Sequence, residues 1–494
     1  MHHIITAVRS HTFSNQLFVT IVWWILLILG LYAILFLQLE RISLIMWDEA
    51  GVATNALDMY LGGNPFAPTQ LGKPDLFNLK PPLVPFIQSL FMRMIPAQHH
   101  LLAIRLPSVI SVAALCIFIA LWMSKRIHNK WAGLAAAMLV ASAPIPFLDH
   151  SWRTGDYDAM LTAFLIISAL IFYIFIKSLR YKYLYLSVVC MVLAVWCKGI
   201  AVLPVLVGMF IWLIFNKNAN TIFSQTKFYV AIVLGLAFAA AIYLLRDYYH
   251  IHYLNIWWQN EVLNLATSNV QGHGEPWWFY LKLMWFHNLY LTSLFLTSTL
   301  YLCYLKFYTK GEIPSSILYI VILFSTNLTI ISIATTKNEW YATPISVFMA
   351  IIITMTLTLA IIKYKSYLNL LFLILSIYPV YMCIKSNLTK SDSIDWDMAL
   401  IVKYLPRLEE EKPDLKTFTM VHSQINPSYS YYNGYYNHRK QGYHINLQHL
   451  DSFSAYNYHG YVVTTEVEPV RRLDTTVGYQ IIHQQGWCRV YYRK

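Results

Sequence analysis

The sequence predicts a polytopic α-helical membrane protein with a small α/β domain at its C-terminal end. Three observations carry that expectation. The chain of 494 residues is 57% hydrophobic and only 12% charged, and a water-soluble protein so poor in charge could not cover its own surface. Apolar runs of bilayer-spanning length, about 17–25 residues, recur as far as residue 385. Beyond that point charge, turn residues and short β-like runs return.

The elements follow in order. Leu17 to Leu37 is a charge-free run without a small-residue cleavage site, so it reads as a retained signal-anchor. Further runs lie near 103–123, 131–148, 159–176, 183–197, 200–215, 228–245, 284–305, 314–334, 341–362 and 367–384, for about eleven transmembrane helices. Pro144, Pro146 and Pro204 mark expected bends. Cys116, Cys190, Cys197, Cys303 and Cys383 fall in spans and only Cys488 in the tail, so no disulfide framework or Cys-x-x-Cys metal site is expected. From Asp392 to Lys416 the chain is charged and helix-like. Then come strand-like runs Thr417–Val421, Tyr461–Thr465 and Cys488–Tyr492, separated by Tyr-rich loops such as Tyr429 to Tyr443. The expected organisation is a membrane domain over 1–385 and an extracytoplasmic α/β domain over 386–494.

The net charge of +12 would ordinarily suggest nucleic acid, but its distribution says otherwise. With a cytoplasmic N-terminus, the inner loops hold Arg9, Lys125, Arg126, Lys130, Lys177, Arg180, Lys182, Lys217, Lys227, Lys306, Lys310, Lys363 and Lys365 against the single acid Glu312. Twelve of the thirteen acids before residue 385 fall on the outer side. The basic surplus is therefore a topology signal, and no nucleic-acid partner is expected.

The scarce outer charges gather in a few segments at span ends, where each ionisable group needs a reason. Asp48-Glu49 follows the first span and offers a general base, or an acidic helix start at the headgroups. Lys80 is aimed by Pro81 and Pro82 and suits a phosphate, or is a snorkelling lysine. Arg153-Thr154-Gly155-Asp156-Tyr157-Asp158 precedes an apolar helix and suits an anion or metal site, or a solvated cap. Lys198-Gly199 sits at the tip between two apolar runs, and His273, Glu275, Lys337 and Tyr341 lie further along. Carboxylates beside lysines suit transfer from a phosphate-bearing lipid. The loop of about 245–280 is a candidate lid, its Trp257, Trp258, Trp277 and Trp278 reading as interfacial anchors or substrate contacts.

The order Asp-Glu, Lys-Pro-Pro-Leu, Arg-Thr-Gly-Asp-Tyr-Asp, Lys-Gly, His-x-x-Pro-Trp and Lys-x-x-x-Tyr-x-x-Pro (Lys337, Tyr341, Pro344) over residues 40–345 resembles the polytopic GT-C glycosyltransferases. Within that superfamily it is similar to the aminoarabinose transferase and dolichyl-phosphate-mannose protein mannosyltransferase family. The resemblance implies a GT-C-like fold in a bacterial inner membrane, with the active site and C-terminal domain periplasmic. It implies a polyprenyl-phosphate sugar donor, a lipid A-like lipid, glycan or protein acceptor, inverting displacement, and a monomer. By the same resemblance Asp48, Glu49 and Asp158 are the catalytic candidates. Lys80, Lys198, Arg153, Lys337 and Tyr341 are the phosphate-binding candidates. His273, Asp156 and Glu275 are candidate ligands of a divalent metal ion. The pattern departs at Leu79, where the aminoarabinose transferases carry a metal-binding glutamate. Compensation by Asn78, Asp75 or Glu275, a differently built site, and no metal are the open alternatives. A secondary transporter or lipid flippase is the rival reading, but it needs ionisable groups near the midplane. A non-catalytic assembly subunit would not need the carboxylates.

Overall fold

A bilayer offers the backbone no hydrogen-bond partners, so apolar runs of this length must close their own bonds as helices. The computed structural model describes residues 2–45, 48–70, 72–76, 78–143, 152–250, 252–264, 274–361, 365–389, 405–423, 427–439, 442–485 and 488–494. Its longer helices are α1 (His2–Leu31), α2 (Asp48–Tyr60), α3 (Leu83–Met94), α4 (His100–Ile127), α5 (Lys130–Ala141), α6 (Tyr157–Ser178), α7 (Tyr181–Lys198), α8 (Leu203–Ile214) and α9 (Thr226–Tyr249). They continue with α10 (Tyr253–Trp257), α11 (Phe279–His287), α12 (Leu289–Phe307), α13 (Ser315–Ile333), α14 (Thr343–Ile361) and α15 (Lys365–Thr389).

Eight stretches among the described residues are long and apolar enough to cross a membrane, fewer than the eleven runs expected. One stretch, Tyr181–Ile214, contains two expected runs, 183–197 and 200–215, which are the separate helices α7 and α8 joined by a tight turn at Gly199. The run at 131–148 is described only as the short α5 and two following residues, and Pro144 and Pro146 lie outside the described residues. The run at 284–305 breaks at Asn288, between α11 and α12. The bundle is organised around α6 and α14, whose apolar windows are 83% and 89% buried, against 17% for the peripheral α9. Small residues allow close helix approach without a hydrophobic drive in lipid. Thus Gly133 of α5 lies so near α4 that an added Cβ would be 2.2 Å from the Ala120 carbonyl oxygen. The α6–α7 contact carries a polar pair, Ser168 Oγ donating to the Ser187 carbonyl at 2.8 Å.

The C-terminal segment forms a five-stranded sheet in the order β4-β3-β5-β7-β6. Its strands are β3 (Thr417–His422), β4 (His444–His449), β5 (Gly460–Thr464), β6 (Gln480–Gln485) and β7 (Cys488–Arg493), after a small β1–β2 hairpin (Thr69–Gln70, Lys73–Pro74). β3 runs parallel to both β4 and β5, while β7 pairs antiparallel with β5 and β6. The three expected strands are the central ones. The two unexpected strands, His-Ile-Asn-Leu-Gln-His and Gln-Ile-Ile-His-Gln-Gln, form the edges, where polar residues weaken the alternation signal. Within Asp392–Lys416, the helix is observed at Leu405–Glu411; residues 390–404 lie outside the described residues.

The Tyr-rich stretch is a correction. Instead of a loop it begins as helix α16 (Pro427–Gly434), continued by a wider turn over Tyr435–Arg439. Tyr429, Tyr431, Tyr432, Tyr435 and Tyr436 are buried in one cluster with Ala50, Ala53 and Leu57 of α2 and Leu101 of α4. Tyr431 shares a hydrogen bond with His100 Nδ1 at 3.1 Å, and Tyr435 donates to the Ala97 carbonyl at 2.9 Å. These rings seat the sheet on the helices of the membrane part. Tyr431→Ala should therefore destabilise the protein by about 3–5 kcal/mol, read as a lower unfolding midpoint in detergent. Tyr456→Ala, at a ring 69% exposed, should leave that midpoint unchanged.

Candidate functional site

The site begins with a charge inside an apolar run. Arg105 of α4 is 3% exposed and meets Glu49, 1% exposed, through Nε–Oε1 at 2.7 Å and Nη2–Oε2 at 2.8 Å. Its remaining donors reach the carbonyls of Leu39, Ile42 and Ser43. Glu49 also accepts the backbone N–H groups of Ile45 and Gly155, at 2.8 and 2.7 Å. Its carboxylate is thus fully occupied in joining the end of the first span, the start of α2 and the loop before α6. Glu49 was expected among the reacting carboxylates; its geometry is that of a structural pin.

Arg153 is corrected in the same way. Its guanidinium donates to the carbonyls of Ile34, Leu35, Leu37 and Gln38, closing the C-terminal end of the first membrane helix. A terminal turn leaves its carbonyls without intrahelical partners; Arg153 serves four here, with Asn387 Nδ2 also donating to that of Ile34 and the Arg41 N–H to that of Gln38. Burial, with Arg105 nearby, pushes its pKa down to about 10, so it stays charged at neutral pH.

The other candidates converge. Asp48 opens α2, half-buried, next to the pinned Glu49. Asp158, in the first turn of α6, accepts from Lys198 Nζ at 2.5 Å, and both side chains are buried. The Lys198 ammonium also lies 5.5 Å from the centre of the Tyr341 ring. Lys80 stands 5.6 Å over the Tyr157 ring and, among the described residues, its ammonium donates no hydrogen bond. Burial alone would lower the Lys80 pKa, but Glu261, Asp48, Tyr157 and Asp156 outweigh it and raise that pKa above its ordinary value. Asp156 precedes α6 and its Oδ1 accepts the Tyr157 N–H at 2.6 Å, the cap arrangement, which turns this oxygen towards backbone.

Lys337 is a strut. Its Nζ donates to the carbonyls of Glu275 and Ala334, beside the isolated Gly274–Thr336 bridge. Burial pushes its pKa down while Glu275 pulls the other way. The Glu275 side chain is exposed, and His273 lies outside the described residues.

Several residues that shape this site carry no motif. Asn55 Nδ2 donates to Asp75 Oδ2 at 2.9 Å, while Asp75 Oδ1 accepts the Asn78 N–H at 2.9 Å. Asn78 Nδ2 donates to the Tyr157 hydroxyl at 2.7 Å. Arg246 of α9 and Tyr253 of α10 bond the carbonyls of Asn78, Leu79 and Lys80. A signal for both arginines existed. Arg105 interrupts the run 103–123, and Arg246 ends a span on the acid-rich side; a cation in either place needs a partner.

Of the candidate metal ligands, His273 lies outside the described residues, and those described do not assemble a metal site. Leu79 is 1% exposed and offers no donor. Both Asp75 oxygens are bonded, Asn78 Oδ1 is a single neutral buried oxygen, and Glu275 uses only its backbone carbonyl here. Among the described residues no three His, Cys, Asp or Glu side chains converge as a metal site. Zinc sites take several His, Cys or carboxylate ligands, whereas magnesium takes oxygen ligands, commonly a carboxylate or two with waters and substrate phosphates.

Fold and site together define a polytopic membrane protein with charged side chains gathered at one end of its helix bundle. Residues 79–244 match the family model described as dolichyl-phosphate-mannose-protein mannosyltransferase. Among solved structures, ArnT from Cupriavidus metallidurans bound to undecaprenyl phosphate superposes with a TM-score of 0.72 at 12% identity, covering 95% of this chain and 97% of that one. The apo ArnT structure from the same organism gives 0.66 at 12% identity, covering 98% of each. The archaeal oligosaccharyltransferase AglB from Archaeoglobus fulgidus, in complex with an inhibitory peptide and a dolichol-phosphate, gives 0.54 at 11% identity, covering 84% of this chain and 63% of that one. A comparison with curated protein sequences finds no match. The chain therefore has the ArnT-like fold that its motif order implies.

Glu49→Gln leaves the Arg105 guanidinium buried without a counter-charge. It should cost about 3–5 kcal/mol of stability, measured as loss of folded protein and a lower unfolding midpoint in detergent. Glu40→Gln, at the partly exposed His99 pair, should change little. A Glu49→Gln protein of unchanged stability would contradict the structural assignment.

Proposed function

We propose that the chain is an integral membrane glycosyltransferase moving a sugar from a polyprenyl-phosphate donor to an extracytoplasmic acceptor. The observation that carries this reading is the convergence of Lys80 and Lys198 with Asp48 and Asp158 from four separate segments. Two ammoniums in a low-dielectric cleft suit a phosphate, and a carboxylate beside them suits an attacking hydroxyl. The ArnT-like fold and the mannosyltransferase match over 79–244 support the same class.

In this reading the acceptor hydroxyl bonds to Asp48, which takes its proton as the oxygen attacks the anomeric carbon. The bond from that carbon to the phosphate oxygen breaks, and its electron pair leaves on the polyprenyl phosphate. Lys80 and Lys198 stabilise the charge that develops there, and Tyr341 stacks beneath Lys198. Asp158 holds Lys198 in place, keeping a buried cation paired until the phosphate arrives. In-line displacement inverts the anomeric configuration. The positive-inside distribution of lysine and arginine supports a periplasmic site and C-terminal domain in a bacterial inner membrane. A lipid A-like lipid, a glycan or a protein is the acceptor class.

Purified protein incubated with labelled polyprenyl-phosphate sugars and an envelope acceptor fraction should transfer label. Asp48→Asn should lower transfer by about 10²–10⁴-fold while still binding undecaprenyl phosphate. Lys80→Ala should weaken that binding. Full activity of Asp48→Asn would remove the proposed base.

A further inference from the structure

Arg246 closes the outer end of α9 and is 1% exposed. Its Nη1 donates to the Lys80 carbonyl, and its Nη2 to the Asn78 carbonyl at 2.8 Å and the Asp75 carbonyl at 3.4 Å. The intervening carbonyl, that of Leu79, accepts from the Tyr253 hydroxyl at 2.7 Å. The guanidinium itself lies 4.4 Å from the centre of the Tyr253 ring. Three consecutive carbonyls of the loop that carries Lys80 are therefore held from behind by two side chains. A planar fork can serve two carbonyls at once, whereas a lysine ammonium cannot reproduce that geometry.

The same helix end reaches the second lysine loop. One turn before Arg246, the Tyr243 hydroxyl sits so close to Gly199 that an added Cβ would be 2.4 Å away, and Gly199 has φ of +59°. Glycine there lets Tyr243 seat against Lys198-Gly199. The outer end of α9 thus touches both lysine loops, and Asp247 continues the connection by accepting the Leu254 N–H at 2.9 Å.

In the aminoarabinose transferases that the motifs resemble, the residue before the lysine that Lys80 matches is a metal-binding glutamate. Here Leu79 is buried and its side chain offers no ligand, both oxygens of nearby Asp75 are bonded, and Asn78 contributes a single neutral oxygen. We propose that Arg246, assisted by Tyr253, is the positioning residue that holds Lys80 for the donor phosphate, and that this chain binds and transfers without a divalent cation. The proposal rests on the reading that Lys80 receives a polyprenyl phosphate. Arg246 acts through backbone and touches no substrate, so its loss should raise the donor KM while leaving kcat at saturating donor largely unchanged.

The test uses full-length protein in detergent, stripped with EDTA and checked for residual metal by mass spectrometry. Binding of undecaprenyl phosphate and transfer from labelled polyprenyl-phosphate sugars are both measured. Wild-type protein should keep its Kd and rate within about twofold after stripping. Arg246→Lys should raise the Kd about tenfold or more, the scale on which outer supports of a binding group act. Tyr253→Phe keeps the ring and loses one hydrogen bond; it should raise the donor KM about fivefold at unchanged kcat and unfolding midpoint, and it carries the test if Arg246→Lys does not fold. The proposal is overturned if stripping abolishes wild-type binding and added Mg²⁺, Mn²⁺ or Zn²⁺ restores it. It is equally overturned if both variants bind as wild type. Wild-type protein that binds no undecaprenyl phosphate, with or without metal, would instead sink the functional reading itself.

Discussion

The buried pair of Glu49 and Arg105 is the constraint on which the rest of the site depends. Taking two ions out of water is costly, and such a pair is tolerated only when geometry and further hydrogen bonds satisfy both partners. Here the requirement is met by recruiting backbone from two places, residues 39–45 and Gly155, to the Glu49 side chain at the start of α2 and to Arg105 of α4. Meeting it forces those segments together. Asp48 is the residue before Glu49, and Asp158 lies three residues after Gly155. The placement of Asp48 and Asp158 relative to each other is therefore set by the Glu49–Arg105 pair. Gly155 itself has no room for a side chain, since an added Cβ would fall 2.2 Å from Ile104 Cγ2.

Two further supports act on the same region. Arg153 fastens the end of the first membrane helix beside the pair, through four carbonyls. On the other side the tyrosines of α16 pack on α2, where the Thr54 hydroxyl approaches the Pro427 carbonyl at 3.4 Å. The C-terminal sheet is thus seated on the helix that presents Asp48. The two lysines are supported separately, through the outer end of α9. The cleft consists of parts whose positions are determined by groups outside it, as preorganised electrostatic sites require.

Much of this was legible in the sequence, and the limits have physical causes. Apolar length and charge asymmetry identify spans because the bilayer imposes them. Asp48, Lys80, Asp158, Lys198 and Tyr341 stand out because a charge or polar ring at a span end needs a reason. Glu49 and Arg153 stand out equally, yet pin backbone: sequence registers an ionisable group's cost but not the direction in which its side chain satisfies it. Arg105 and Arg246 were overlooked because each is a single cation within or at the end of an apolar run, outside any motif. The strands β4 and β6 escaped notice because edges carry polar residues. The tyrosines from Tyr429 to Tyr436 resemble an exposed loop by composition but form a buried helix, since a Tyr ring packs as an apolar surface while its hydroxyl finds a partner such as His100 or the Ala97 carbonyl.

In the proposed enzyme the two lysine loops, held by α9, form one phosphate site facing Asp48. A cryo-electron microscopy map of the protein saturated with undecaprenyl phosphate tests it most directly. Phosphate density is expected within about 3 Å of both the Lys80 and Lys198 ammoniums. Phosphate density away from both ammoniums would contradict that site.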